Sequence, residues 1–298
     1  METAGAQAAG AIGRRAFERA PAPVLIVAAA FSVQSGAALA TTLFDEAGTP
    51  GTVFVRTGFA GLILLALFPA ALRRRRWGPL RYAVGLGVAL ACVNSLFYAA
   101  IDRVPLGVAV TVEFLGPLTV AVAGSRRRID FLWIALAAGG VALLGSPTVD
   151  VDRVGLALAL AAGVFWAMYI VIGKRLGATW PLGEGLALSM AIAAVLVAPP
   201  GLVSGGVDIF TARILVLGLA VAVLASVIPY VLELALLRRL KTSTFGILMS
   251  LGPAVAALAG AILLSQRLGA FELLAITCVV VASIGANRDA RPTVPAEP

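Results

Sequence analysis

The feature that most constrains this chain is a succession of ten apolar stretches separated by short polar segments. A helix that crosses the hydrocarbon core of a bilayer needs about 20 apolar residues, and it satisfies its own backbone hydrogen bonds. With 60% hydrophobic and 13% charged residues, the chain has too few polar groups to cover a soluble domain. The sequence therefore predicts an all-α membrane protein with ten transmembrane helices. The predicted spans are 23–42, 50–72, 80–101, 105–124, 130–147, 153–173, 182–200, 213–237, 242–264 and 268–287.

The distribution of charge indicates how these helices are oriented. Most of the 23 Lys and Arg residues fall in segments that are cytosolic if the N-terminus is inside, and most loop acids fall on the other side. Because cytosolic loops are enriched in Lys and Arg, we expect both termini in the cytosol. Residues 1–22 are then a cytosolic leader and 288–298 a cytosolic tail. The net charge of +8 reflects these loops and does not predict a nucleic-acid partner.

Two stretches of the chain resemble each other. When residues 96–124 are shifted onto 232–260, Leu115-Gly116-Pro117 falls on Leu251-Gly252-Pro253 and Arg103 falls on Arg239. Because each half contains five spans, an odd number, the second half enters the membrane from the side opposite to the first. The two halves therefore have opposite orientations. We therefore expect two inverted five-helix repeats, 23–147 and 153–287. Duplicated bundles with a central site are typical of secondary transporters.

Several chemistries are disfavoured by the composition. The chain has no histidine, and Cys92 and Cys278 fall in apolar runs, so the sequence predicts neither a metal site nor a cofactor. No G-x-x-x-x-G-K-[ST] loop is present, which disfavours ATP hydrolysis. An intramembrane enzyme needs a nucleophile with a nearby base or a pair of acids, and no such group lies within a span. We therefore predict no catalytic residues, whereas a passive channel is an alternative that the sequence leaves open.

Apart from charged residues assigned to the loops and the span ends, three ionisable residues fall inside predicted spans, where a charge costs about 2.5–3.5 kcal/mol on insertion scales. Glu113 lies near the midplane and could bind a substrate ammonium group or carry a proton; alternatively, it could pair with Arg56 or Thr111. Glu233 lies closer to the cytosolic end, where it could act similarly or bend toward water. Arg56 could bind a substrate carboxylate, reach the outer interface or pair with Asp45.

Proline, glycine and polar residues suggest a lined cavity. Gly116-Pro117 and Gly252-Pro253 interrupt two helices at matching positions, so we predict helix breaks there; a kink that serves packing alone is the alternative. Further side chains at helical depth could line the same space, although each could equally pack as part of the core. They are Gln34, Asn94, Tyr98, Trp166, Tyr169, Tyr230 and Ser250.

Five stretches together resemble the threonine/homoserine exporters of the drug/metabolite transporter (EamA) superfamily. They are SVQSGAALATTLF from Ser32, TPGTVFVRTGFAGLILL from Thr49, NSLFYAAIDRVPLGVAVTVEFLGPLTVAV from Asn94, GVFWAMYIVIGKRLG from Gly163 and ASVIPYVLELALLRRLKTSTFGILMSLGPAVAALAG from Ala225. The resemblance implies ten helices in two inverted repeats, a bacterial inner-membrane location and export of small amino acids in exchange for protons. Many superfamily members carry acids where this chain has Gly252 and Gln266, so coupling by those two acids cannot be carried over.

The predicted spans and buried charges favour a secondary transporter that works by alternating access, and the resemblance implies that it exports amino acids such as threonine or homoserine across the inner membrane. Its partners are a small-molecule substrate, protons and the lipid bilayer. Proton antiport is the simplest coupling, because protonation of a buried acid would weaken its hold on an ammonium group. An exporter of aromatic amino acids or xenobiotics is the main alternative, and the oligomeric state is left open.

Overall fold

The computed structural model describes residues 21–73, 77–123, 128–144, 151–230, 232 and 249–289, and these residues form helices joined by short turns, without a β-strand among them. Predictions for the first 20 residues, for Glu233 and for residues 233–248 and 290–298 lie outside this part of the chain. The helices are α1 (Ala22–Thr41), α2 (Phe44–Leu67), α3 (Ala70–Arg73), α4 (Trp77–Ile101), α5 (Leu106–Glu113), α6 (Leu115–Ala123), α7 (Arg128–Leu144), α8 (Arg153–Gly177), α9 (Leu182–Gly205), α10 (Ala212–Ala222), α11 (Gly252–Leu263) and α12 (Ala270–Asp289).

Helix length and surface both fit a membrane protein. Within the described residues, six helices are long and apolar enough to cross a bilayer, and four shorter apolar helices occupy the remaining predicted spans. Large apolar side chains such as Phe131, Val195 and Val216 are mostly exposed, as expected of surfaces that contact lipid. The all-α membrane class is confirmed, whereas the arrangement of ten spans in inverted repeats stays a prediction.

Helix α2 differs from its predicted span at one end. Gly48 has a φ of 68° and breaks the helix before Pro50, so the continuous helix begins where the sequence predicts it. Its other end is Leu67, because Phe68 precedes Pro69 and the residue before a proline is disfavoured in helical conformation. The predicted continuation to residue 72 is therefore wrong, and the short helix α3 follows instead.

Two prolines interrupt the central helices. Pro117 has no N–H to donate to the Glu113 carbonyl, and the predicted single span 105–124 is divided into α5 and α6. In the same way, Pro229 cannot donate to the Ala225 carbonyl, and α10 continues into a π-helical turn at Val223–Val227. Both interruptions expose backbone carbonyls inside the bundle.

The helices pack across the predicted boundary between halves. Helix α2 lies along α9, α4 contacts both α8 and α9, and α7 lies along α12. The short helix α5 packs on α11, while α6 packs on α8. Helix α10 and its π-helical turn contact α1 and α2. This packing brings α2, α4, α5 and the π-helical turn around a common centre.

Candidate substrate-binding site

Arg56 is buried in the centre of the bundle, with only 6% of its surface exposed. Its Nη1 donates to Asn94 Oδ1 at 2.7 Å, its Nη2 to the Ala225 carbonyl at 3.0 Å and its Nε to Ser226 Oγ at 3.3 Å. The guanidinium carbon lies 5.1 Å from the centre of the Tyr98 ring, a cation–π geometry. Arg56 therefore neither pairs with Asp45 nor reaches the outer interface, because three acceptors and an aromatic face compensate its loss of water.

The acceptors around Arg56 follow from local sequence. Since Pro229 has no N–H, the Ala225 carbonyl four residues earlier is free to accept from Arg56. On α4, Asn94 Nδ2 donates to the Leu90 carbonyl at 2.7 Å, which turns Asn94 Oδ1 toward the guanidinium. The cation is thus held by one helix from each half of the chain.

The cluster retains unused hydrogen-bonding capacity. A guanidinium carries five N–H donors, and three are used by the contacts described above. The Tyr98 hydroxyl is completely buried and has no partner in the described part of the chain. Buried polar groups in native proteins are normally hydrogen-bonded, so this hydroxyl and the free guanidinium donors favour a bound polar group.

Glu113 is the buried carboxylate next to this cluster. It ends α5, and among the described residues none donates a hydrogen bond to its side chain or forms an ion pair with it. The Arg56 charge acts on it electrostatically without direct contact. Thr111 is not its partner, because the Thr111 hydroxyl donates to the Gly107 carbonyl at 2.6 Å. The negative end of the α5 dipole disfavours a further negative charge there, so Glu113 needs a cation or a proton.

The backbone at Glu113 is fixed by contact with α8. The carbonyl released by Pro117 lies against Gly163, where an added Cβ would come within 2.6 Å of the Glu113 oxygen. A Cβ added at Gly116 would come even closer to the Gly163 carbonyl oxygen. Only glycine permits this approach, so the helix break at Gly116-Pro117 also serves packing.

The remaining predicted residues have different environments. Gln34 is buried with no partner for its Oε1 in the described residues, which makes it available to a ligand. Trp166 packs edge-to-face on Phe114, with ring centres 5.6 Å apart, so it walls the break between α5 and α6. The others pack against core helices or begin α11. They are Tyr169, Tyr230 and Ser250, together with Gly252 and Pro253.

A small cavity of about 180 Å³ lies beyond the Arg56 cluster, between α2, α4 and α9. Thr49 and Ser95 contribute hydroxyl groups to its lining. Both residues lie near the helix ends that are predicted to face outward. The cavity therefore lies on the predicted outer side of the charged cluster.

Comparison with known proteins identifies the family. Residues 153–288 match the profile of the EamA-like transporter family. The threonine/homoserine exporter RhtA of Salmonella typhimurium is 44% identical over 272 residues, covering 89% of this chain and 91% of the relative. The exporter of the same name from Escherichia coli is 43% identical over 277 residues, covering 91% and 92%. The chain belongs to the EamA-like transporter family.

A solved crystal structure supports the fold of this EamA-like transporter. It superposes with a TM-score of 0.60 at 18% identity and covers 88% of this chain and 94% of the other. At that identity the match shows a shared fold alone. Family membership confirms the predicted resemblance and identifies the chain as a transporter and not an enzyme.

Sequence reasoning missed two parts of this EamA-like transporter site. Ser226 and the Ala225 carbonyl were not predicted as partners of Arg56, although Pro229 signals a free carbonyl four residues earlier. Gln266 was noted only as a departure from the superfamily, yet its side chain bonds the start of α5. Among the described residues, no group of His, Cys, Asp or Glu side chains could hold a metal ion.

Proposed function

We propose that this chain is a secondary transporter of the bacterial inner membrane that exports threonine and homoserine by alternating access. The observation that carries this proposal is the pair of buried opposite charges, Arg56 and Glu113, which interact without direct contact. An amino acid is a zwitterion and supplies one partner for each charge. The names of the 43–44% identical relatives support threonine and homoserine as the substrates.

The proposed binding mode uses the free groups of the cluster. The substrate carboxylate accepts from the two unused N–H groups of Arg56 and from the Tyr98 hydroxyl. The substrate ammonium group lies against the Glu113 carboxylate. Charge-assisted hydrogen bonds of this kind are roughly twice as strong as neutral ones, which offsets the cost of removing water from the zwitterion.

Glu113 also provides a route for proton coupling. When Glu113 takes up a proton, it loses its charge and no longer attracts the ammonium group. One carboxylate can therefore hold either the substrate or a proton, as exchange of the two requires. We propose that protons enter the cell as the amino acid leaves.

The helix packing supports the proposed duplication of ten spans in two inverted repeats, 23–147 and 153–287. Under that duplication α2 corresponds to α9, and α7 corresponds to α12. Helices α5 and α6 together correspond to the span that contains α11. The members of each pair contact each other. The contact of α4 with α8 has its counterpart in the contact of the π-helical turn with α1. Both termini are then cytosolic.

The test uses purified protein in liposomes loaded with labelled threonine. An acidic exterior is expected to accelerate threonine efflux and to acidify the lumen. Glu113→Gln, which resembles the protonated acid, should bind threonine more weakly and should lose the response to the gradient. The control Asp208→Asn, at an exposed acid, should behave as the parent. Efflux indifferent to the gradient in the parent would contradict proton coupling. Efflux of aromatic amino acids or xenobiotics, with no efflux of threonine or homoserine, would contradict the proposed substrate.

A further inference from the structure

Gln266 connects the two halves of the bundle at the start of α5. Its Oε1 accepts a hydrogen bond from the Leu106 N–H at 3.0 Å, and its own N–H donates to the Gly260 carbonyl at 3.1 Å. The preceding Ser265 has a φ of 53°, which turns the chain back toward α5 after the end of α11. The first N–H groups of a helix lack intrahelical partners, so the Gln266 amide caps α5 from the other half.

Helix α5 transmits this contact to the site. It contains eight residues, from Leu106 to Glu113, so its ends are about 12 Å apart. It lies directly on α11, because a Cβ at Gly107 would come within 2.7 Å of the Ala257 Cα. One end of a short rigid helix is therefore held by Gln266, and its other end carries the buried carboxylate.

Two ion pairs also join the halves at this end of the bundle. Arg213 pairs with Glu46, and Arg103 lies 3.4 Å from Asp152. All four side chains are substantially exposed, and surface ion pairs contribute little. The Gln266 contact is partly buried, so it is the strongest candidate for holding this end closed.

We propose that Gln266 is a positioning residue that holds α5 against α11 on the outer side, and that its bond to Leu106 breaks when substrate is released outward. This inference rests on the proposed function, because release through that side defines the step. Breaking the bond frees the start of α5 and lets the helix that carries Glu113 move away from α11.

The test compares Gln266→Ala, which removes the acceptor, with Gln266→Glu, which keeps a side-chain oxygen at the same reach. Arg267→Ala, at the adjacent exposed residue, is the matched control. Loss of one ordinary hydrogen bond should shift the balance toward the outward-open state roughly three- to tenfold. In oriented proteoliposomes, the external half-saturation concentration of threonine should fall by that factor and the internal one should rise. Arg267→Ala should leave both within about twofold of the parent. Gln266→Glu, whose charged oxygen accepts at least as strongly at a helix start, should leave both unchanged or move them in the direction opposite to Gln266→Ala.

A lower external and a higher internal half-saturation concentration of threonine distinguish this role from general destabilisation of the protein. General destabilisation would not improve binding from outside. Half-saturation concentrations that move in the same direction, or that stay at the parent values in Gln266→Ala, would overturn the proposal.

Hydrogen exchange gives a second readout that needs no substrate. The backbone amides of α5 should exchange about three- to tenfold faster in Gln266→Ala than in Gln266→Glu. Equal exchange in the two variants would also overturn the proposal, whereas a parent that fails to transport threonine or homoserine would contradict only the proposed function.

Discussion

Arg56 illustrates what sequence can and cannot predict for a single residue. An arginine within an apolar stretch is costly, so its position alone predicted a special role. Its partners could not be predicted, because the Ala225 carbonyl and the Ser226 hydroxyl lie on a helix far along the chain. Helical periodicity indicates faces, but it does not show which faces meet. The sequence therefore left three possibilities open for Arg56, and the structure excludes the two in which it pairs with Asp45 or reaches the outer interface.

Tyr98 offers a test of function separate from stability. Tyr98→Phe removes only the buried hydroxyl, which has no partner in the described residues. Thermal stability should therefore stay the same or rise, while threonine affinity should fall by about five- to tenfold, the effect of one hydrogen bond of roughly 1 kcal/mol. Thermal denaturation in detergent and equilibrium binding measure the two effects. A lower melting temperature with unchanged affinity would mean that the hydroxyl serves the fold.

At the scale of elements, the sequence predicted where helices lie better than where they break. Gly116-Pro117 was identified as a break, and the structure divides the helix at that place. The π-helical turn at Val223–Val227 was not predicted, since Pro229 marks a free carbonyl but not how the chain accommodates it. Such accommodation depends on the neighbouring helices α1 and α2, which supply Ser32 and Arg56 as donors.

The contact of Gly163 with the Glu113 carbonyl should be sensitive to a single methyl group. Gly163→Ala would push the break between α5 and α6 away from α8, at a cost of about 1–3 kcal/mol. Gly139→Ala is the matched control, because nothing lies within 4 Å of a Cβ at that helical position. Thermal unfolding should start earlier in Gly163→Ala and should be unchanged or delayed in Gly139→Ala. Equal effects would show that the close approach at Gly163 is unimportant.

Asp152 makes the stability of α8 depend on pH. The hydrogen bond from the Gly155 N–H, with smaller contributions from the Val154 N–H and then from Arg103, holds the pKa of Asp152 below its usual value. A lowered folded-state pKa contributes stability above the ordinary value near 4, and this contribution is lost as the pH falls through the folded value. Asp152→Ala should therefore be less stable than the parent at neutral pH and should approach it in strong acid. Thermal unfolding measured across that range checks this, and a constant difference would contradict it.

For the whole molecule, composition and charge carry most of the information. The apolar stretches predicted the all-α membrane class, which the structure confirms. The inverted repeat rests on a short match around two Gly-Pro pairs and on similar packing of the halves, so it stays a proposal. The substrate was indicated only by the resemblance of whole stretches to the threonine/homoserine exporters and not by any single residue, because small differences between ligands are distinguished by pocket details.

The proposed topology makes a direct prediction about accessibility. In a background without Cys92 and Cys278, a cysteine at Val207, which is 84% exposed, should react with a membrane-impermeant maleimide from outside intact cells. A cysteine at Ala178, also exposed, should react only after the membrane is opened. The reverse pattern would show that the orientation is inverted, and reaction of both from outside would contradict the assigned spans.

The most direct test of the account is a binding cycle between Arg56 and the substrate carboxylate. Threonine and its amino-alcohol analogue, in which a neutral hydroxymethyl group replaces the carboxylate, are titrated against the parent and against Arg56→Gln, after each protein is shown to be folded. The parent should bind the analogue at least roughly 30-fold more weakly, since a buried charge pair is worth about 2 kcal/mol or more. Arg56→Gln should bind both ligands with similar affinity. If the carboxylate contributes equally to binding in both proteins, Arg56 does not bind the substrate.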